Sequence, residues 1–296
     1  ERSGVMAAGD LITADWQMEW RGLLFGPNPY GITEVQGLAD LPGLVTADRD
    51  RLRAHGQIAG DDFLTGRTVE VGFRIEGSSS ADTFDQATAL AAVTAPGEAE
   101  SPLVFQIPGV AAGTKAYLNA RVRARSLPID RLYQVSVLGG RFQFYATDPR
   151  LYSLVQSTQT VSLPTAGGGL PVEVDVPATL LAVTDSGSIL VQNNGNFRAP
   201  WSFRINGPAV NPTVRNVTEG LYLGFNITLA AGEYLDVATG PTQRSVILNG
   251  SESRYYTLQA GSTWWDFRPG ETEVAFRAAT DTAATLTVYS RSAWSA

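Results

Sequence analysis

The sequence predicts an all-β protein with one helix, built as two β-sandwich or barrel domains. Three observations carry this. Short alternating runs are cut by Gly, Pro, Asn and Asp at intervals of about ten residues, the spacing of sandwich and barrel strands. A single segment has apolar residues at three- and four-residue spacing. The chain has 296 residues, 44% hydrophobic and 17% charged, enough to bury a large core, and this length favours one large or two medium domains. Two is the expectation.

The first clear strand covers 68–76, where Val69, Val71, Phe73 and Ile75 share one face and charges occupy much of the other. Such alternation marks a sheet with one buried face. The helix follows over 82–95. Phe84, Ala87, Leu90, Ala91 and Thr94 recur on one side, Asp82 is the expected N-cap and Pro96 the stop. Lying between strands, this helix is expected to cover a sheet.

The run 118–125 repeats the alternation, with Leu118, Ala120, Val122 and Ala124 inward and Asn119, Arg121, Arg123 and Arg125 outward. Gly139-Gly140 reads as a hairpin turn between strands over 134–138 and 141–146. Further strands are expected over 188–192, 199–205, 221–227, 234–238, 245–248, 273–277 and 284–290. Pro269-Gly270 is a tight turn, and the last strand, with Leu286, Val288 and Trp294 inward, is expected to close the second sandwich. The domain boundary falls just past residue 155, giving domains 1–157 and 158–296. The Gly run at 167–169 reads as a loop, because it lacks the Lys-Ser/Thr ending and following helix of a phosphate cradle.

The chemistry-bearing residues are sparse. The chain has no cysteine, which excludes disulfides, thiolate catalysis and sulfur-ligated zinc. His55 is the only histidine and has no serine motif beside it; the adjacent Asp61 and Asp62 lack the alternating oxygens of a calcium loop. No carboxylate pair stands out for glycoside hydrolysis. The reading is therefore no enzyme, no cofactor and no metal. A net charge of -7 argues against a general nucleic-acid surface. No apolar run is long enough to span a membrane and the amino end lacks a signal-peptide layout, so neither anchoring nor secretion is expected.

Two features suit contacts. Arg121, Arg123 and Arg125 on one strand face would stand about 7 Å apart, a row fitted to an anionic partner surface. A solvated face paired with acidic neighbours is the competing reading. Of the six tryptophans, Trp264 and Trp265 are adjacent, so in an extended segment their rings take opposite faces and one is left for a contact.

Several segments then resemble a known family. The stretch Arg123-Ala124-Arg125-Ser126-Leu127-Pro128-Ile129-Asp130-Arg131-Leu132-Tyr133, followed by Arg141-Phe142-Gln143-Phe144-Tyr145-Ala146-Thr147-Asp148-Pro149-Arg150-Leu151-Tyr152-Ser153, resembles minor tail proteins of long-tailed phages of actinobacteria. The second half is similar to the carboxyl-terminal domain of phage distal tail proteins. It carries Asn193-Asn194-Gly195-Asn196, Asn206-Gly207-Pro208, Asn216-Val217-Thr218-Glu219-Gly220, Val246-Ile247-Leu248-Asn249-Gly250 and Trp264-Trp265-Asp266-Phe267-Arg268-Pro269-Gly270 in that order.

The resemblance implies an N-terminal belt β-sandwich or barrel, like a tail-tube subunit, and a C-terminal galectin-like β-sandwich. It implies a homo-oligomer, a hexameric ring in the virion at the phage tail tip, made in the host cytoplasm. The ring would join the tail tube protein to the tail hub and to receptor-binding or fibre proteins, with DNA only passing through its channel and no membrane contact. Arg121, Arg123, Arg125, Trp264 and Trp265 are the expected assembly contacts. The alternative is a carbohydrate-binding module at the tail tip that contacts the host cell surface. The second half has no histidine, which departs from the sugar-binding galectin pattern. A wall-degrading β-sandwich hydrolase is the other rival.

Overall fold

The computed structural model describes residues 7–97, 99–129, 131–164, 187–240, 244–279 and 283–296. They form two compact units, Glu1–Val155 with Ala293–Ala296, and Gln156–Ser292. The Gly run at 167–169 lies outside the described residues.

In chain order the first unit contributes β1 (Gln17–Trp20), β2 (Leu23–Phe25), β3 (Tyr30–Gln36), β4 (Leu44–Thr46), β5 (Arg49–Asp50), β6 (Gln57–Ile58), β7 (Asp62–Leu64), β8 (Arg67–Glu76), helix α1 (Ser80–Val93), β9 (Ser101–Gln106), β10 (Ala116–Ser126), β11 (Val137–Ala146) and β12 (Leu151–Ser153). The second contributes β13 (Ser157–Ser162), β14 (Ser188–Asn193), β15 (Trp201–Asn206), β16 (Ala209–Val210), β17 (Thr213–Asn216), β18 (Leu221–Gly224), β19 (Thr228–Leu229), β20 (Tyr234–Ala238), β21 (Ser245–Leu248), β22 (Glu252–Ser253), β23 (Gly270–Arg277) and β24 (Thr285–Ser290). The last strand, β25 (Ala293–Trp294), belongs to the first unit again.

In the first unit the main sheet runs β2-β1-β9-β10-β11-β8-β3, with β12 between β10 and β25. Phe25 at one end of that path lies 5.8 Å from the ring of Tyr30 at the other, so the sheet curls round on itself. Inside are Trp20, Phe25, Phe73, Phe142 and Phe144. Val69, Val71, Phe73 and Ile75 of β8 are all buried, which the alternation in the sequence anticipated. Full burial of each such side chain contributes about 1.5–3 kcal/mol.

Helix α1 packs on this core through the face the sequence suggested at Ala87, Leu90 and Thr94, with Thr83 in place of Phe84 at its start. Ser79, not Asp82, is the N-cap, its side chain accepting from the Asp82 amide. Asp82 sits inside the first turn and accepts from the amide and hydroxyl of Ser78, at 2.7 and 2.9 Å. Leu90, Thr83 and Thr94 are buried while Phe84 points to solvent. Polar anchors that spacing does not reveal add to this contact. Trp20 Nε1 donates to the Val93 carbonyl at 3.0 Å, Tyr30 to the Gln86 carbonyl at 3.0 Å, and Thr83 to the Ser136 carbonyl at 3.0 Å.

Gly139 and Gly140 do not turn the chain. β11 runs through both and pairs with β8 without interruption, from Val137 opposite Glu76 to Ala146 opposite Arg67. Residues 131–135, partly expected as strand, form a short 3-10 helix instead. A Cβ at Gly140 would fall 2.5 Å from Phe73 Cζ and 2.7 Å from the Ser126 carbonyl. This glycine permits close approach within a sheet.

The sequence reading passed over residues 44–64, which form a hairpin arm. β4 pairs with β7, and nested within it β5 pairs with β6. Its apolar residues Leu44, Val45, Leu52, Ile58 and Phe63 are all exposed.

The second unit is a β-sandwich. One sheet runs β13-β24-β15-β20-β21-β22 and the other β14-β23-β17-β18. Phe203 of the first and Phe225, just past β18, have ring centroids 6.2 Å apart. Val191, Ile205, Val214, Leu235, Phe276 and Leu286 fill the remaining space, each buried. The expected strand positions over 188–290 coincide with elements here, although 221–227 is shortened at Gly224, beyond which Phe225 makes an isolated bridge to Leu258.

The chain end departs from expectation. Trp294 does not close the second sandwich. β25 pairs with β12, Leu151 opposite Trp294 and Tyr152 opposite Ala293, and Trp294 joins the core of the first unit. β24 ends at Ser290, and the terminal residues then satisfy the free edge of β12, which otherwise would expose unpaired backbone groups. At Pro269-Gly270, Gly270 adopts φ 89° and opens β23. The tryptophan segment before it is extended rather than a strand, tied by one bridge between Phe267 and Ala199.

Candidate functional site

Trp264 and Trp265 do take opposite sides. Trp265 is buried, its ring 4.4 Å from Trp201 and 5.2 Å from Phe267. Its backbone carbonyl accepts from Trp201 Nε1 at 2.9 Å. Trp264 is half-buried and faces outward, stacked on Tyr255 at 5.9 Å with 19° between planes. The Arg244 guanidinium lies 5.7 Å from the Trp264 centroid.

Both tryptophans border an open cleft of about 260 Å³ that Arg198, Glu219, Arg244 and Asp266 also line. Arg198 grips Glu219 with two nitrogens, at 2.7 and 3.4 Å, and donates to the Asp266 carbonyl at 3.2 Å. Buried Asn216 donates to Glu219 at 3.0 Å and accepts from its amide at 2.9 Å. The hydrogen bond from Arg198 holds the Glu219 carboxyl below its ordinary pKa of 4.5. A fork-to-fork pair of this kind is geometrically fixed. The result is a rigid polar wall beside an aromatic one.

The three arginines of β10 do not form a row. The pairing of β10 with β11 is regular at Arg121 opposite Tyr145, then shifts between Val122 and Ala124, and resumes with Arg125 opposite Phe142. Directly opposed residues share a face, and Tyr145 and Phe142 lie on opposite faces of β11. The bulge therefore sends Arg121 and Arg125 to opposite sides of the sheet. Arg125 donates to the Ala91 carbonyl and the Thr94 hydroxyl, both at 2.8 Å, at the end of α1. It satisfies helix-end acceptors and complements the negative pole of the helix. Arg123 lies 5.2 Å from the Tyr145 ring, and the Arg121 Nε is buried with no partner among the described residues. Alternation alone cannot show a one-residue bulge.

His55, Asp61 and Asp62 are exposed and sit on the hairpin arm. Among the described residues no group of three or more His, Cys, Asp or Glu is placed to hold a metal. The sequence reading also missed the Arg198–Glu219 pair. Its only signal is the Asn216-x-x-Glu219 spacing, which suits a side chain returning to its own backbone.

Residues 194–294 match the family model described as the siphovirus-type tail component, C-terminal domain. No curated protein sequence matches the chain. Among solved structures it is similar to the crystal structure of the SPP1 Dit (gp 19.1) protein, described as a paradigm of hub adsorption apparatus in Gram-positive infecting phages. The TM-score is 0.64 at 14% identity, covering 93% of this chain and 98% of that one. The phage P2 baseplate in its activated conformation with Ca is also similar, with a TM-score of 0.50 at 10% identity, covering 93% of this chain and 97% of that one. Nearly the whole chain thus has the all-β fold of the SPP1 Dit protein, and all but the last two residues of the family match lie within its second unit.

Proposed function

We propose that this chain, a distal tail protein of siphovirus type, closes into a hexameric ring that joins the tail tube to the tail-tip hub and the host-binding fibres. The first unit is its belt domain and the second its galectin-like domain. The role is structural, without catalysis: the ring holds open a channel through which DNA passes. The virion tail tip is its place, after synthesis in the cytoplasm of an actinobacterial host.

The observation that carries this reading is the correspondence of fold over 93% of the chain with a Dit protein, joined to the family match over 194–294. The hairpin arm supports it. Five exposed apolar side chains on one narrow arm, Leu52 among them fully exposed, are a surface that assembly would cover. In a ring each arm seats on the neighbouring copy, as a head-to-tail interface that closes by rotation.

Gold-labelled antibody against the chain, applied to intact particles of the phage that encodes it, tests the placement. Label at the distal end of the tail supports the reading. Label confined to the head or along the tube contradicts it.

A second reading, a saccharide-binding module at the tail tip, is favoured by one observation: the cleft between Trp264 and the Arg198–Glu219 pair.

A further inference from the structure

We propose that the cleft beside Trp264 binds one saccharide ring that carries an anionic group, a carboxylate or a phosphate. This rests on the second reading above and gives it a site and a ligand class.

Size comes first. At about 260 Å³ the cleft is smaller than the roughly 300–1,000 Å³ of pockets for drug-sized ligands. One six-membered ring fits, and an extended peptide side-chain cluster does not. A pyranose has an apolar face of C–H groups and an equatorial rim of hydroxyls, so it needs an aromatic face beside fixed hydrogen-bonding groups. The cleft offers that pair. Trp264 is half-buried and held by its stack on Tyr255, so little side-chain freedom is lost on binding. The Glu219 carboxylate is fixed by Arg198 and Asn216, and the same Arg198 hydrogen bond holds its pKa below the ordinary value. Its remaining acceptor capacity suits a hydroxyl donor.

The charge selects among saccharides. Arg198 is paired with Glu219, and the lining holds one further cation, Arg244, and one further carboxylate, Asp266. Arg244 is exposed, lies at the Trp264 ring, and makes no hydrogen bond or ion pair among the described residues. An unmatched guanidinium beside a stacking face is fitted to a carboxylate or phosphate on the bound ring. Trp265 also lines the cleft, and its indole N–H is buried without a partner among the described residues.

Saturation-transfer NMR on the full chain tests this, with methyl glucuronide, methyl galacturonide and glucose phosphate as probes. Methyl glucoside, inorganic phosphate and an acidic peptide are the controls. The expected result is transfer to at least one acidic sugar, weaker transfer to methyl glucoside, and none to phosphate or the peptide alone. Arg244→Gln should weaken acidic-sugar binding by about tenfold, to the level of the neutral sugar. Trp264→Ala should abolish it and Trp264→Phe retain it.

Arg244 is exposed, so its variant keeps the fold and the test does not depend on Trp264→Ala folding. Equal binding of neutral and acidic sugars overturns the anionic preference and leaves the second reading standing. Absence of transfer from every sugar overturns both. Binding of phosphate or the peptide in place of sugars, or sugar binding unchanged in Trp264→Ala, overturns the site. None of these outcomes bears on ring assembly.

Discussion

Arg67 Nε donates to the carbonyl oxygen of Pro149 at 2.7 Å. The same guanidinium also donates to the carbonyls of Leu38 at 3.1 Å and Asp40 at 2.9 Å, and to those of Gly37 and Ser295. Arg67 is 1% exposed, and burial lowers its pKa to about 10, which still leaves it charged at neutral pH. One buried cation thus ties the end of β3, the loop after β11 and the chain terminus to the start of β8. A guanidinium suits this because it presents five donors in a fixed plane.

Arg67→Met is expected to destabilise the first unit by about 3 kcal/mol or more, since it leaves several buried carbonyls unsatisfied. Arg67→Lys, a point charge with three donors, should fall between. Urea unfolding followed by near-ultraviolet circular dichroism measures both. A change under about 0.5 kcal/mol, the scale of neutral surface substitutions, contradicts the clamp.

Arg125→Gln should cost the first unit about 1 kcal/mol, because it removes the hydrogen bonds at the end of α1. Arg123→Gln should stay within about 0.5 kcal/mol. Thermal melts of the two variants, compared side by side, decide whether the bulge in β10 divides these arginines as described.

Glu219→Gln should lower stability by about 1 kcal/mol at neutral pH, a modest figure because the Arg198 side chain is half-exposed and screened. The folded pKa of Glu219 is below the unfolded value of 4.5. Its contribution is therefore present above pH 4.5 and is lost as pH falls through the folded pKa. Unfolding curves across that range should show the difference between wild type and variant shrinking as the solution becomes more acidic. A constant difference would mean that the pair contributes through packing instead.

Gly140→Ala should destabilise by about 1–3 kcal/mol through overpacking against Phe73 and the Ser126 carbonyl. Gly139→Ala, where an added Cβ meets nothing within 4 Å, should be far milder. Equal effects would point to a general strand effect rather than close approach.

How much of this was legible in the sequence follows from what each element depends on. β8 declared itself because four alternating apolar residues sit on a half-buried sheet. β20 and β21 were equally clear at 234–238 and 245–248. Where an element is set by tertiary partners, spacing misled. The first turn of α1 buries Thr83, bonded to the Ser136 carbonyl, instead of Phe84, and Gly139-Gly140 looks like a turn yet sits where a sheet needs room.

The candidate site was half legible. The opposite faces of Trp264 and Trp265 follow from local geometry alone. The Arg198–Glu219 pair joins residues 21 positions apart, and the Asn216-x-x-Glu219 spacing is its one local trace. The arginine row failed for a smaller reason, a single extra residue in β10. The hairpin arm escaped notice because its strands are two or three residues long and exposed at every position but Leu64, so they carry no burial pattern.

Copies of this chain are proposed to close into a ring through surfaces such as the arm. The most direct measurement is the mass of the purified full chain by native mass spectrometry over a range of concentrations, with and without the tail tube protein, beside Leu44→Ser/Phe63→Ser. The expected result is a six-copy species for the wild type, visible as rings by electron microscopy, and its loss in a variant whose melting temperature is unchanged. A chain that stays monomeric at every concentration, with the tube protein present, would contradict the account.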